Sequence, residues 1–449
     1  MGLLERINAQ LGRKSFSQPN FWSIPDWAGV SSTSRDRESI ENDFASFVTG
    51  AYKGTGPVFA AVERRKQVFS QARFMWQKFQ GGRPGDLFGS PELALLERPW
   101  VGGTTGELLA RMEQDASLAG NFYATTVDDA GRMGKAATGT GRRISRMRPD
   151  WVTLVIGAPS GDPFGPDNFV MAYEYRSQGP GSLQEPVLLL PGEVVHYSPT
   201  PDPIARFRGM SWLTPVLREI MADRAATDHK LRFFENGAAL SMVFKYPPNT
   251  TPEKLEKYRK LFELQHTGSS KAYRALHLAG ADPVPTAMNF QQMDFKVTQG
   301  AGETRIATAS GVPAAILGIS EGLAGSSLNA GNFGAARRLF VDTTIRDLWG
   351  IAAPALETLL TFPAGATRLW YDDRDIPFLR EDAKDNAEIR SLDALTIKAF
   401  VDAGYLPDAA VQFVRTGDFA ALTGQHSGLF SVQLQPAGTA QAPPKGGTS

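Results

Sequence analysis

The sequence predicts an α+β fold, on three observations. Strand-like runs NFYATTV, RPDWVTLVI, NFVMAYEYR and PVLLLPGEVVHYS follow one another through residues 121–198, separated by Gly, Pro and Asp turns. Two helical stretches, Ser211 to Asn236 and Gly302 to Ser310, bracket a small module of mixed strand and helix pattern. A glycine-rich loop then runs into a long helix that carries one apolar stripe.

Composition bounds the function before any motif does. The 449 residues, 42% of them hydrophobic, suffice for two or three folded regions. Lys plus Arg number 47 and Asp plus Glu 47, so no net field draws the whole molecule onto nucleic acid or an anionic membrane. Any such contact must be local. The absence of Cys removes disulfides, thiolate nucleophiles and thiolate metal sites together, and predicts assembly in a reducing cytoplasm. The N-terminal MGLLERINAQLGRK places Leu3, Leu4, Ile7 and Leu11 at helical spacing but is too short and charged for a signal peptide, and Arg6 defeats a myristoylation signal. No stretch approaches the ~18 apolar residues of a membrane span, so a soluble chain without a membrane partner is expected.

Along the chain, residues 1–50 read as a flexible arm, because the stretch from Arg13 mixes Ser, Gly, Asp and Arg without period. A helix follows, with Val58, Ala61, Val62, Val68 and Ala72 on one side and Arg64, Arg65 and Lys66 opposite, read as a solvated charged face. Thr104 to Leu118 reads as a helix with Thr104 as N-cap, Glu107 as its capping-box partner and Gly120 as the stop. Between the first two strand runs lie Arg132, Lys135, Arg142, Arg143, Arg146 and Arg148 without an acid, either a surface hairpin or a contact for phosphates or an acidic partner. The helix from Ser211 to Asn236 balances Arg218, Arg224, Lys230 and Arg232 against Glu219, Asp223, Asp228 and Glu235 and would span nearly ~40 Å.

The module over residues 238–292 contains a strand ALSMVFKY, a helix opening at Thr251-Pro252 and two short strands; its helix is mildly basic through Lys254, Lys257 and Lys260. The glycines at 311, 318, 322, 325 and 331 make the next stretch a loop. Beyond Asn329, Phe333, Ala336, Phe340, Thr344, Leu348 and Ile351 recur at threes and fours, while Arg338, Asp342 and Arg346 offer ion pairs of ~0.3 kcal/mol each. A strand ATRLWYD, an acidic segment over 372–393, two short helices broken at Gly404-Tyr405-Leu406-Pro407 and a low-complexity tail from residue 431 complete the chain.

Catalytic signals are few. Gly318-Ile319-Ser320-Glu321-Gly322 matches the G-x-S-x-G elbow of serine hydrolases, but LAGSS prolongs the loop where a helix should start, and the one downstream His is His426. Gly134-Lys135 lacks the Ser or Thr and the upstream Gly of a phosphate loop, no HExxH occurs, and His196, His229, His266, His277 and His426 are scattered. No enzyme, metal or cofactor is expected.

The order of parts, with GEVVHYSP, RGMSWLTPVLREI, FFENGAALS, ETRIATASGVPAAILGI, YDDRDIPFLREDAKDNAE and AGYLPD, resembles the portal proteins of long-tailed double-stranded-DNA bacteriophages over roughly residues 55–420. The resemblance implies a ring subunit, usually one of a dodecamer, at a single capsid vertex around a DNA channel. It divides the chain into a wing (51–205, completed by a long helix and return strand over 332–375), stem helices (206–236 and 293–312) and a clip (237–292). A tunnel loop (313–331) and a helical crown (376–430) complete the division. Gly318, Ile319, Ser320, Glu321, Gly322, Leu323, Ala324, Gly325, Ser326, Ser327, Leu328 and Asn329 would line the channel, with Arg337, Arg338, Lys230 and Arg232 facing DNA. Lys254, Lys257 and Lys260 would meet partners at the clip. Those partners would be terminase, which carries the ATPase, head-completion and connector proteins, the major capsid and scaffold proteins, and DNA held without sequence specificity. Two alternatives stand beside this reading: a serine hydrolase using Ser320, and a non-channel structural or adaptor protein of the same particle.

Overall fold

The computed structural model describes residues 36–40, 43–139, 141–162, 165–179, 182–235, 242–245, 250–266, 282–285, 295–319, 330–379 and 383–428. The chain divides into two units, 1–379 and 380–449. Among the described residues the first holds four antiparallel sheets, one of them only two-stranded, and the helices packed on them.

Residues expected in the flexible arm are core instead. Arg37–Glu38 form an edge strand, β1, and Ile40, Phe44, Phe47 and Ala51 are buried. Asp43 caps a short helix, Phe44–Ser46, by accepting from the amides of Ala45 and Ser46. The helix then widens into a π-helical segment, Phe47–Tyr52. The apolar spacing 44, 47, 51 behind an Asp cap was the available signal, but it spans barely two turns, too short to stand out from its polar surroundings.

Helix α1 (Gly56–Phe69) leads into a hairpin, β2 (Arg73–Gln80) and β3 (Arg83–Phe88), which closes at Gly81 and Gly82, both with positive φ. Helix α2 (Thr105–Ala119) has the predicted capping box and ends at Gly120, whose φ is +74°. A Cβ there would sit 2.4 Å from the Met210 carbonyl carbon, so only glycine fits where this helix end meets the approach to the stem.

The four strand runs become β4 (Phe122–Val127), β6 (Val152–Gly157), β7 (Phe169–Tyr175) and, from the last run, β8 (Val187–Leu189) with β9 (Val194–Tyr197). The basic stretch supplies β5 (Arg143–Met147). The strands order as β5-β4-β9 in one sheet and β1-β6-β7-β8 in another. Near the end of the unit, β12 (Arg368–Asp372) returns to pair with β2, in register from Arg368 with Gln77 to Asp372 with Arg73.

The helix predicted from Ser211, α3 (Leu217–Glu235), starts six residues later. Trp212 and Leu213 are buried, Ser211 donates to the Ser117 carbonyl at 2.6 Å, and Pro215 sits in a tight 3-10 turn, Thr214–Val216. The inserted module contributes β10 (Met242–Lys245) paired antiparallel with β11 (Asp282–Pro285), and α4 (Pro252–His266). Helix α5 (Phe295–Ser310) begins seven residues before the Gly302 start read from the pattern, and falls within the 293–312 that the resemblance implied.

The rod is α6 (Ala330–Phe340), a second π-helical segment (Val341–Ile345) and α7 (Arg346–Glu357) in unbroken succession. Its predicted stripe holds at Phe340 and Leu348, but Phe333 is 41% exposed, and beyond the π-helical turn the buried line is Val341, Ile345, Trp349, Ala352 and Leu356. The rod shares one core with the sheet: Trp76, Phe69, Leu108, Met112, Tyr197, Phe340 and Trp349 pack together, and the Trp349 indole donates to the Phe69 carbonyl at 2.9 Å.

The second unit is helical: α8 (Ala383–Asp402), a break at Gly404, and α9 (Pro407–Thr416), with Phe400 edge-on to Phe413 at 5.0 Å.

Candidate channel-lining elements

Helices α3 and α5 pack side by side where Ile220 and Ile306 share a core with Val58, Val62 and Trp212, and Arg305 reaches Glu219 at 3.3 Å. Beyond Ile220 no residue of α3 as far as Leu231 is buried, and Leu231 is 56% exposed. Lys230 is half-buried on this stretch; the side chain of Arg232 lies outside the described residues. Most of a protein helix's stability comes from packing an apolar face, and this stretch of α3 buries little of one.

On α4, Lys254, Lys257 and Lys260 are exposed, as the sequence reading required of a contact surface. Lys260 pairs with Glu256 at 3.2 Å across one helical turn.

The end of α5 is clamped. The Arg65 guanidinium donates to the Ser310 carbonyl and pairs with Glu113 at 2.7 Å. Glu113, fully buried, also accepts from Ser117 at 2.9 Å and from the Tyr197 hydroxyl at 3.3 Å. Arg65 is therefore not part of a solvated face, as its neighbours Arg64 and Lys66 suggested; it is 7% exposed. Its partner lies 48 residues away, beyond the reach of any local pattern. Gly311, with φ +70°, turns the chain against the rod, where the Thr344 hydroxyl donates to its carbonyl at 3.0 Å.

Past this clamp, a helical turn, Ala314–Leu317, is closed by Gly318 at φ +73°, and the Ile319 amide donates to the Ala314 carbonyl at 3.2 Å. Ile319 was expected to face the channel; it is instead 8% exposed, folded onto its own subunit. Ser320, Glu321, Gly322, Leu323, Ala324, Gly325, Ser326, Ser327, Leu328 and Asn329 lie outside the described residues. On the far side, Arg338 is exposed and Arg337 half-buried on α6. Arg346 binds Asp342 at 2.5 Å, as the spacing predicted, and also Asp373 at 3.0 Å.

The G-x-S-x-G match has the wrong setting at its start. A nucleophile elbow follows a strand, whereas a helical turn precedes Gly318. His426 is held in a turn, its Nε2 2.9 Å from the Ala403 carbonyl. Among the described residues no cluster of His, Asp and Glu could hold a metal ion, and no helix is long and apolar enough to cross a membrane.

Four of the basic residues over 132–148 are paired with acids that flank the run or sit on α2. Asp128 pairs with Arg132 at 2.7 Å, Asp129 with Arg143 at 2.8 Å, Asp115 with Arg146 at 2.5 Å and Asp150 with Arg148 at 2.5 Å. Of the two readings, surface hairpin and phosphate contact, the ion pairs favour the first.

Two long helices flanking an inserted two-stranded module, a clamped turn at Gly311 and a rod buried against the sheets define an α+β fold of the portal type. The chain belongs to the phage portal protein family, whose model matches residues 57–396. The structure is similar to a chain of the neck of a native gene transfer agent particle computed with twelvefold cyclic symmetry (TM-score 0.53, 22% identity, 81% of this chain and 92% of that one). It is also similar to a chain of the neck of the empty particle (TM-score 0.54, 22% identity, 84% and 93%) and to one of the native virion (TM-score 0.53, 21% identity, 79% and 90%). No curated protein matches the sequence.

Proposed function

We propose that the chain is the subunit of a ring, a dodecamer, that occupies one capsid vertex and forms the conduit through which double-stranded DNA is packaged and ejected. The observation that carries this is α3. Past Ile220 it leaves its own subunit uncovered while its charges alternate in sign, which suits a helix packed between neighbouring copies around a bore. Family membership over residues 57–396 supports the same reading. Alternating charge also suits passage. A strongly basic lining would hold DNA through phosphate contacts and counterion release.

In this reading residues 51–205 and 332–375 form the wing, 206–236 and 293–312 the stem, 237–292 the clip and 376–430 the crown. The clip receives terminase during packaging and the head-completion and connector proteins afterwards; the wing and crown meet the major capsid and scaffold proteins. The protein itself is not an enzyme, since the ATPase resides in the terminase. Light scattering on a size-exclusion column, with negative-stain images of the same fraction, tests the ring. A mass many times 48.7 kDa and a central hole are expected. A stable monomer at micromolar concentration would hand the chain to the non-channel adaptor reading.

A further inference from the structure

A cavity of about 380 Å³ opens on the surface beside the π-helical segment Phe47–Tyr52. Phe44, Val48, Tyr52 and Leu118 line it, together with Arg146 and Arg148. Its polar groups are already engaged within the subunit. Asp115 takes both of its oxygens to Arg146, Arg148 is paired with Asp150, and Gln114 donates to the Tyr52 hydroxyl at 3.1 Å, which in turn donates to Glu63 at 2.5 Å. A charged ligand would find no partner at the bottom of this cavity, so its contents must be apolar.

The walls favour an aromatic guest. The Arg148 guanidinium lies 4.8 Å from the centre of the Trp151 ring and 5.7 Å from that of Phe44, the geometry of cation–π contacts. Tyr52 also contacts Phe59 at 5.3 Å, and Phe59 is 50% exposed, so aromatic surface continues out of the cavity. At the rim, Lys53 is exposed and has no ion-pair partner among the described residues.

The chain carries such a guest. The segment over residues 20–28, NFWSIPDWA, concentrates Phe21, Trp22, Ile24 and Trp27, two of the eight Trp in the protein. It holds one charge, Asp26, opposite in sign to Lys53. The described chain starts at Asp36, and by Ile40 and Phe44 it has entered the same core cluster whose surface forms the cavity wall. From Trp27 to Asp36 is nine residues, a tether of up to ~30 Å, and that tether is Gly-, Ser- and Thr-rich. We propose that residues 20–28 dock into this cavity of their own subunit, with Trp22 and Trp27 as the anchoring side chains and Asp26 against Lys53. The N-terminal segment then acts as a strap over the wing, and the proposal does not depend on ring formation.

The absence of native Cys makes the test direct. Full-length chain carrying Ser23→Cys with Thr49→Cys, an exposed residue of the cavity rim, is treated with a short bismaleimide, beside a control of Ser23→Cys with Val101→Cys, which is 99% exposed elsewhere. Docking raises the local concentration of the first pair, so its intrachain link should form at least about tenfold faster than the control. Adding Trp22→Ala and Trp27→Ala should bring the two rates together. Equal rates in the unmutated segment, rates unaffected by the two Trp substitutions, or a product of doubled mass that gives the cavity to a neighbouring copy would each overturn the proposal. Unchanged thermal unfolding of the double-Cys chains confirms that the fold tested is the native one.

Discussion

At the scale of single residues, His196 offers the clearest measurable consequence. Its Nδ1 is 3.1 Å from the Tyr173 hydroxyl and its Nε2 3.1 Å from the Asn121 side-chain oxygen, with Tyr123 against the ring at 4.7 Å. Burial lowers its pKa to about 4 from the usual 6.5. The unfolded chain therefore binds a proton near pH 6.5 that the folded chain refuses until about pH 4. Stability from this group is complete above pH 6.5 and falls as the pH drops toward 4, by at most about 3 kcal/mol, since the residue keeps some solvent-facing surface. Denaturant midpoints between pH 4 and 7 should show this slope in the wild type and a shallower one in His196→Gln; parallel curves would remove His196 as the cause. Other residue roles differed in how far the sequence disclosed them. Thr104, Glu107 and Gly120 were readable because a cap is written within a few positions. Glu38 was not, for its fully buried carboxylate accepts from the amides of Arg206, Phe207 and Arg208, some 170 residues away.

At the scale of elements, legibility followed the same rule of distance. The strands over residues 122–197 announced themselves by their runs between turns, whereas the basic stretch looked acid-free because Asp115, Asp128, Asp129 and Asp150 approach it from its flanks and from α2. The glycines at 311 and 318 marked the turns that the structure has there, but could not reveal that Ile319 itself is packed inward. Two expectations belong here. Reversing Lys254, Lys257 and Lys260 to Glu places like charges beside Glu253 and Glu256 on an exposed face, so rings should persist while terminase docking and packaging weaken. Unchanged docking in a pull-down would leave α4 a solvated helix. Removing residues 323–327 shortens the loop between the clamped Gly311 turn and α6 without touching either support. Rings and proheads should form, with DNA packaging or retention impaired; full-length genomes retained at wild-type yield would exclude a channel role for the loop.

For the whole molecule, two of the three hydrophobic clusters among the described residues divide the labour, the third lying between the β4 and β6 sheets. One joins the sheet to the rod, and the other joins the N-terminal residues and α1 to the roots of α3 and α5. Neither reaches the outer part of α3, where Leu231 stands 56% exposed. Leu231→Glu should therefore leave the subunit folded, within about 0.5 kcal/mol as for other surface changes, yet lower the ring fraction seen by light scattering. An unaltered ring population would place the subunit contacts elsewhere.

The widened turn at Val341–Ile345 sets how the rod delivers its loop. Each residue of an α-helix advances about 100° around the axis, so one residue accommodated as a π-helical turn swings everything before it by about that angle while α7 stays seated on Trp76 and Phe69. Deleting one residue from this turn would restore an ordinary helix with α7 in place and rotate α6 by about that angle, which would also carry Phe340 out of the core it shares with Trp76 and Trp349. The direction in which this protein presents Arg337 and Arg338 is thus set by one residue of the turn together with the Phe340 contact.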